Sequence, residues 1–74
     1  MGMNNKPRPV IIYDIAEYCY WEFKSVHEAC RTLGLKDPQV FGILSGKYKT
    51  TKGYRAYDSD YFYENVYRPE MTKN

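Results

Sequence analysis

The chain has 74 residues and a mass of 8.8 kDa, room for one small domain and too little for an enzyme built around an interdomain cleft. Its longest apolar run, Val10 to Tyr13, is far short of the ~20 residues of a membrane-spanning helix, no apolar leader is read at its start, and 43% hydrophobic with 27% charged residues is ordinary globular composition; a cytoplasmic location is expected. The net charge of +2 is uneven: residues 1–56 hold nine Lys/Arg against five Asp/Glu, and residues 57–74 hold two against four.

Residues 1–8 are polar, with Pro7 among them and Lys6 and Arg8 as cations, and read as a flexible arm. Val10-Ile11-Ile12-Tyr13 is β-branched and aromatic and predicts a strand over residues 9–15. A second strand is expected from Tyr18 to Phe23, with Cys19, Trp21 and Phe23 on one face and Tyr18, Tyr20 and Glu22 on the other. Ser25 and Glu28 have capping-box spacing: the Ser25 hydroxyl accepts from the Glu28 N–H, and Glu28 reaches back to the Ser25 N–H. Val26, Ala29, Cys30 and Leu33 then repeat at helical spacing until Gly34, which predicts a helix over 26–33. Asp37 is placed as the cap of a second helix with Pro38 in its first turn, Val40, Ile43 and Leu44 on its inner edge and Gly46 at its end.

Residues 47–53 form a basic loop, and Tyr54–Tyr57 a third strand. Asp58 is expected to cap a last helix running through Tyr67 and stopped by Pro69. From Lys47 to Arg55 there are four cations and no acid. That run suits either a polyanion or a solvated loop. Tyr54, Tyr57, Tyr61, Phe62, Tyr63 and Tyr67 crowd fourteen residues together with Asp58, Asp60 and Glu64. They either cover one face of the sheet or form an acidic, Tyr-rich interface for a protein partner or a homodimer.

Catalysis finds little support. Cys19 and Cys30 lack C-x-x-C spacing and read as two reduced, largely buried thiols. His27 is the single histidine, lies off the apolar stripe and reads as an exposed helix residue. No metal and no cofactor is expected, since a zinc site here would need carboxylate help. Asp14, Glu22 and Lys24 mimic a nuclease's acidic core, a pattern that chance supplies often.

Two short helices about Gly34 outline a helix-turn-helix. The run from Glu22 to Leu35 resembles the core of the intron-encoded nuclease repeat, the NUMOD-type DNA-binding modules found beside homing endonucleases, often in phages. Val40 to Arg55, with Ser45-Gly46-Lys47 and Gly53-Tyr54 inside it, resembles the ending of those modules, and Pro9 to Asp14 their opening strand. The resemblance spans residues 9–57. It implies that the second helix enters the groove of double-stranded DNA, presenting Gln39, Phe41, Gly42 and Ser45, while Lys47, Lys49, Thr50, Thr51, Lys52 and Arg55 hold phosphates.

The expected architecture is α+β: a small antiparallel sheet of about three strands packed on a helix-turn-helix over residues 9–57, with a Tyr-rich acidic helical extension over 58–74. The expected function is a stand-alone, non-enzymatic DNA-binding module. Phe41 and Gly42 stand where polar base readers belong. They motivate an alternative, a phage protein that inhibits a host protein through Phe41, Tyr61, Tyr63, Glu64 and Tyr67. A single-strand binder stacking on Tyr20, Tyr48 or Tyr54 is the third reading.

Overall fold

A computed structural model describes residues 8–74; the arm expected over 1–8 lies, Arg8 apart, outside the described residues. The elements follow in the order β1 (Val10–Asp14), β2 (Cys19–Phe23), α1 (Val26–Leu33), α2 (Asp37–Leu44), β3 (Tyr54–Asp58), α3 (Ser59–Asn65) and β4 (Thr72–Lys73). The sheet order is β3-β1-β2-β4. β1 pairs antiparallel with both β2 and β3, whereas β4 lies parallel to β2 at Cys19–Tyr20. The sheet is therefore mixed and four-stranded, where three antiparallel strands were expected. The fourth strand is two polar residues, too short for any alternation to reveal.

β1 is central, and both of its faces are covered. Val10 and Ile12 point to one side, into a core shared with Phe23, Val26, Ala29, Cys30, Leu35, Val40 and Ala56. Ile11 and Tyr13 point to the other, against Tyr20 and Phe62. The helix pair α1–α2 thus caps one face of the sheet and α3 the other. This is why β1 is a continuous apolar run instead of an alternating one. The Tyr-rich segment does cover the second face: the Phe62 ring is fully buried, 4.9 Å from Tyr20 and 5.8 Å from Tyr57.

The helix ends refine the expected caps. Ser25 Oγ accepts from the Glu28 N–H at 3.2 Å, but Glu28 reaches one residue further back than expected, accepting from the Lys24 N–H at 2.9 Å. Gly34 closes α1 in the left-handed region at φ 70°, and the Leu35 N–H bonds the Cys30 carbonyl at 3.0 Å. Neither aspartate caps its helix. Lys36 occupies the cap position of α2 with no side-chain bond, and the Asp37 carboxylate turns to His27 Nδ1 at 3.3 Å. Asp58 precedes α3 without a side-chain cap, its carboxylate 3.2 Å from Arg8 Nε. In both cases a side-chain nitrogen from elsewhere in the chain competes for the oxygen. α3 also ends at Asn65, two residues short of Tyr67.

The outer edge of β3 is short. The Ile15 N–H bonds the Gly53 carbonyl and the Ser59 N–H the Pro9 carbonyl, so the odd-numbered residues face β1. Tyr54, Ala56 and Asp58 direct their backbone groups outward, and Thr51 takes up both of those at Tyr54, at 2.8 and 3.0 Å. Between Thr51 and Tyr54, Lys52 and Gly53 have φ of 50° and 83°. That pattern is the tight turn favoured in hairpins, with Gly53 where positive φ carries no steric cost.

Candidate nucleic-acid interface

The helix pair and the hairpin loop that follows it meet on one side of the molecule. Leu35 and Val40 are buried between α1, α2 and the sheet, with Leu33, Ile43 and Leu44 packed against them, which fixes the angle between the helices. The loop is anchored to that corner because Lys52 Nζ donates to the Gly34 carbonyl at 3.1 Å. Its other end is tied to the end of α2, where the Gly42 carbonyl accepts from the N–H groups of Lys47 at 2.7 Å and Tyr48 at 3.1 Å.

Lys47, Lys49, Thr50, Lys52 and Arg55 are exposed, and Thr51 is half-buried. The ion pairs among the described residues are Arg8–Asp58, His27–Asp37 and Lys73–Glu22, so no carboxylate neutralises Lys47, Lys49, Lys52 or Arg55. Lys47 Nζ lies 5.5 Å from the Tyr48 ring centre and the Arg55 guanidinium 5.9 Å from that of Tyr57. Alternation along β3 sets Arg55 on the α3 side of the sheet with Tyr57, while the lysines stay with the loop.

On α2 the four residues expected to face outward divide. Phe41 is 55% exposed. Gln39 is half-buried. Ser45 is exposed, but its hydroxyl donates to the Gly42 carbonyl at 3.1 Å. Gly42 does not face outward: it is buried, with the Tyr48 ring lying directly over it. The close approach that a glycine here permits is therefore to a ring of the same chain.

Phe41, Tyr48, Lys49, Arg55 and Tyr61 line a groove of about 1090 Å³ along the outer edge of β3, with His27 and Asp37 also on its wall. Hydrogen bonds from His27 and from the Cys30 thiol hold the Asp37 carboxyl below its ordinary value, so it stays ionised. Burial, aided by Asp37, pushes the Cys30 thiol up to about 11. Cys30 is buried and Cys19 half-buried, both free. Tyr48 entered the sequence reading as a stacking ring for single strands and not as a duplex contact; a glycine inside a helix, five residues before the basic loop, is the signal for its close approach.

The remaining candidates have other employment. Asp14 Oδ1 accepts from the N–H groups of Ala16 and Glu17, each at 3.1 Å, in the turn between β1 and β2. Glu22 accepts from the Tyr63 hydroxyl at 2.9 Å and from Ser59 Oγ at 3.4 Å, on the α3 side. Burial and this carboxylate push the Tyr63 phenol well up. Of the proposed protein-contact residues, Tyr61 is 54% exposed, and Tyr63, Glu64 and Tyr67 are exposed beside it. Among the described residues no three His, Cys, Asp or Glu side chains gather closely enough to hold a metal, and no helix is long and apolar enough to cross a membrane.

No curated protein and no solved structure matches the chain. Residues 19–55, from the start of β2 through both helices and the basic loop into β3, match the family described as DNA endonuclease I-HmuI-like, NUMOD-like domain, and no nuclease domain is evident in the 74 residues. With half of its length in that match, covering the helix pair and the loop docked on it, the chain belongs to the I-HmuI-like NUMOD-like domain family.

Proposed function

We propose that these 74 residues are a DNA-binding module without cutting activity, with α2 in the major groove and the loop on the backbone. The observation that carries this reading is the set of cations at Lys47, Lys49 and Lys52, on a loop that Lys52 pins to the turn of the helix pair, with Arg55 on the adjoining strand β3, none of them opposed by a carboxylate. Ordinary protein surfaces interleave charges of both signs. A stretch of unopposed cations held beside a helix suits a polyanion, and membership of a family named for a DNA endonuclease supports duplex DNA as that polyanion. Lys47, Lys49 and Lys52 would bind phosphates by charge, Thr50 and Thr51 by hydroxyl hydrogen bonds, and Arg55 from the edge of the groove.

Titration of the protein with duplex DNA at ~50 and ~200 mM salt tests this directly, because phosphate contacts release counterions and lose affinity steeply with salt. Lys47→Ala and Lys49→Ala should each weaken binding on every sequence and reduce the salt slope by about 1. Failure to bind at the lower salt would refute the reading.

A second reading has its own observation: Phe41 and Tyr61 are each more than half exposed, and Tyr61 stands on the acidic α3 face. Large exposed rings beside carboxylates fit a protein partner, such as a host protein bound and inhibited, or a second copy. Capture of a defined protein that Tyr61→Ala abolishes, with DNA affinity unchanged, would favour it.

A further inference from the structure

α2 has few polar groups left with which to read a base. Asp37 is turned back to His27 at 3.3 Å. Pro38 has no N–H to offer. The Ser45 hydroxyl is donated to the Gly42 carbonyl, and Gln39 is half-buried. The large apolar side chains exposed on this side are two rings, Phe41 on α2 and Tyr48 in the loop after it, 55% and 38% exposed, on the same groove.

The second ring is fixed in place. Its own N–H and that of Lys47 bond the Gly42 carbonyl, and its face lies on Gly42 so closely that a Cβ there would sit 2.5 Å from Cε2 and nearer still to Cδ2. The Lys47 ammonium approaches the same ring. An apolar ridge held this firmly loses little side-chain freedom when it binds.

We propose that Phe41 of α2 and Tyr48 of the loop after it are specificity-determining residues, and that the feature they take from DNA is the 5-methyl group of thymine; this rests on the DNA-binding reading above. A ring cannot form the bidentate hydrogen bonds that distinguish guanine or adenine. The thymine methyl is the apolar feature that the major groove displays, and an apolar side chain reads it by contact. Phe41 makes the contact. Tyr48 forms the second wall, and Gly42 is the positioning residue that admits its ring.

The test compares an alternating A·T duplex with the same duplex carrying uracil for thymine, which removes the methyl and keeps every hydrogen-bonding group. The protein should bind the uracil duplex about fourfold more weakly for each contacted methyl removed. Phe41→Ala, at an exposed position where folding is not at stake, should bind both duplexes alike. Gly42→Ala, shown to be folded by circular dichroism, should shrink the difference by displacing Tyr48. Lys47→Ala should weaken both duplexes and leave their ratio unchanged. Equal binding of the two duplexes by the unaltered protein, with a normal salt slope, would overturn the proposal and leave the DNA reading standing. A full methyl preference in Phe41→Ala would also overturn it. No binding of either duplex would remove the DNA reading itself and the proposal with it.

Discussion

At Gly42 two residue-level effects oppose each other. In an exposed helix, glycine to alanine gains ~1 kcal/mol from backbone entropy. Here the added methyl would meet the Tyr48 ring, and overpacking costs typically 1–3 kcal/mol. Gly42→Ala should therefore lower stability, seen as an earlier urea midpoint. Gly42→Ala combined with Tyr48→Ala should be more stable than Tyr48→Ala alone, because the space is then open and the helix preference acts unopposed. Cys30 supports a second residue-scale prediction. Its thiol is raised from 9.0 to about 11 by burial, so the folded state holds its proton more tightly than the unfolded chain does. Its contribution is complete below pH 9 and is lost as the pH rises towards 11. Tyr13, raised by burial in the same direction, adds to the loss. Denaturation at pH 8 and pH 10.5 should show the decline, and Cys30→Ala should make it shallower.

At the scale of elements, caps and turns decide where each piece stops. Removing the Ser25 hydroxyl by Ser25→Ala should cost about 1 kcal/mol in chemical denaturation, since the Glu28 N–H loses its acceptor. The helix pair was readable because apolar spacing, a capping box and a left-handed glycine agree over residues 25–46. The aspartate caps were misread because local spacing does not show that His27 and Arg8, ten and fifty residues away along the chain, compete for the same oxygens. The turn at Lys52-Gly53 is not legible in the sequence because lysine is an unusual residue at positive φ. β4 was invisible because Thr72 and Lys73 owe their strand to an already formed edge at Cys19–Tyr20 and not to their own pattern. Within the interface, the cations were legible as a run of charge. The covering of Gly42 was not, since it depends on how the loop folds back over α2.

For the whole molecule, the matched segment and the folding unit differ in extent. Residues 19–55 omit β1, whose five residues separate the two cores, as well as Ala56 and Phe62. A peptide of residues 19–55 should therefore be largely unstructured by circular dichroism, while the 74-residue chain is folded. Phe62→Ala, which empties the centre of the second core, should cost 3–5 kcal/mol, enough to threaten the fold of a domain this small and to be read as a large drop in melting temperature. Charge follows much the same division into two sides: Lys47, Lys49 and Lys52 lie with the helix pair and its loop, whereas Asp60 and Glu64 lie on α3. A polyanion would be attracted to the first side and repelled from the second, which orients the molecule before any contact forms.

The blunted outer edge of β3 bears on crowding. With Tyr54 already bonded to Thr51, only Ala56 and Asp58 turn unpaired backbone outward there, and the Ala56 residue itself is buried. Strand-to-strand fusion, the route by which small β-rich proteins turn into fibrils at high density, needs a longer ladder than that.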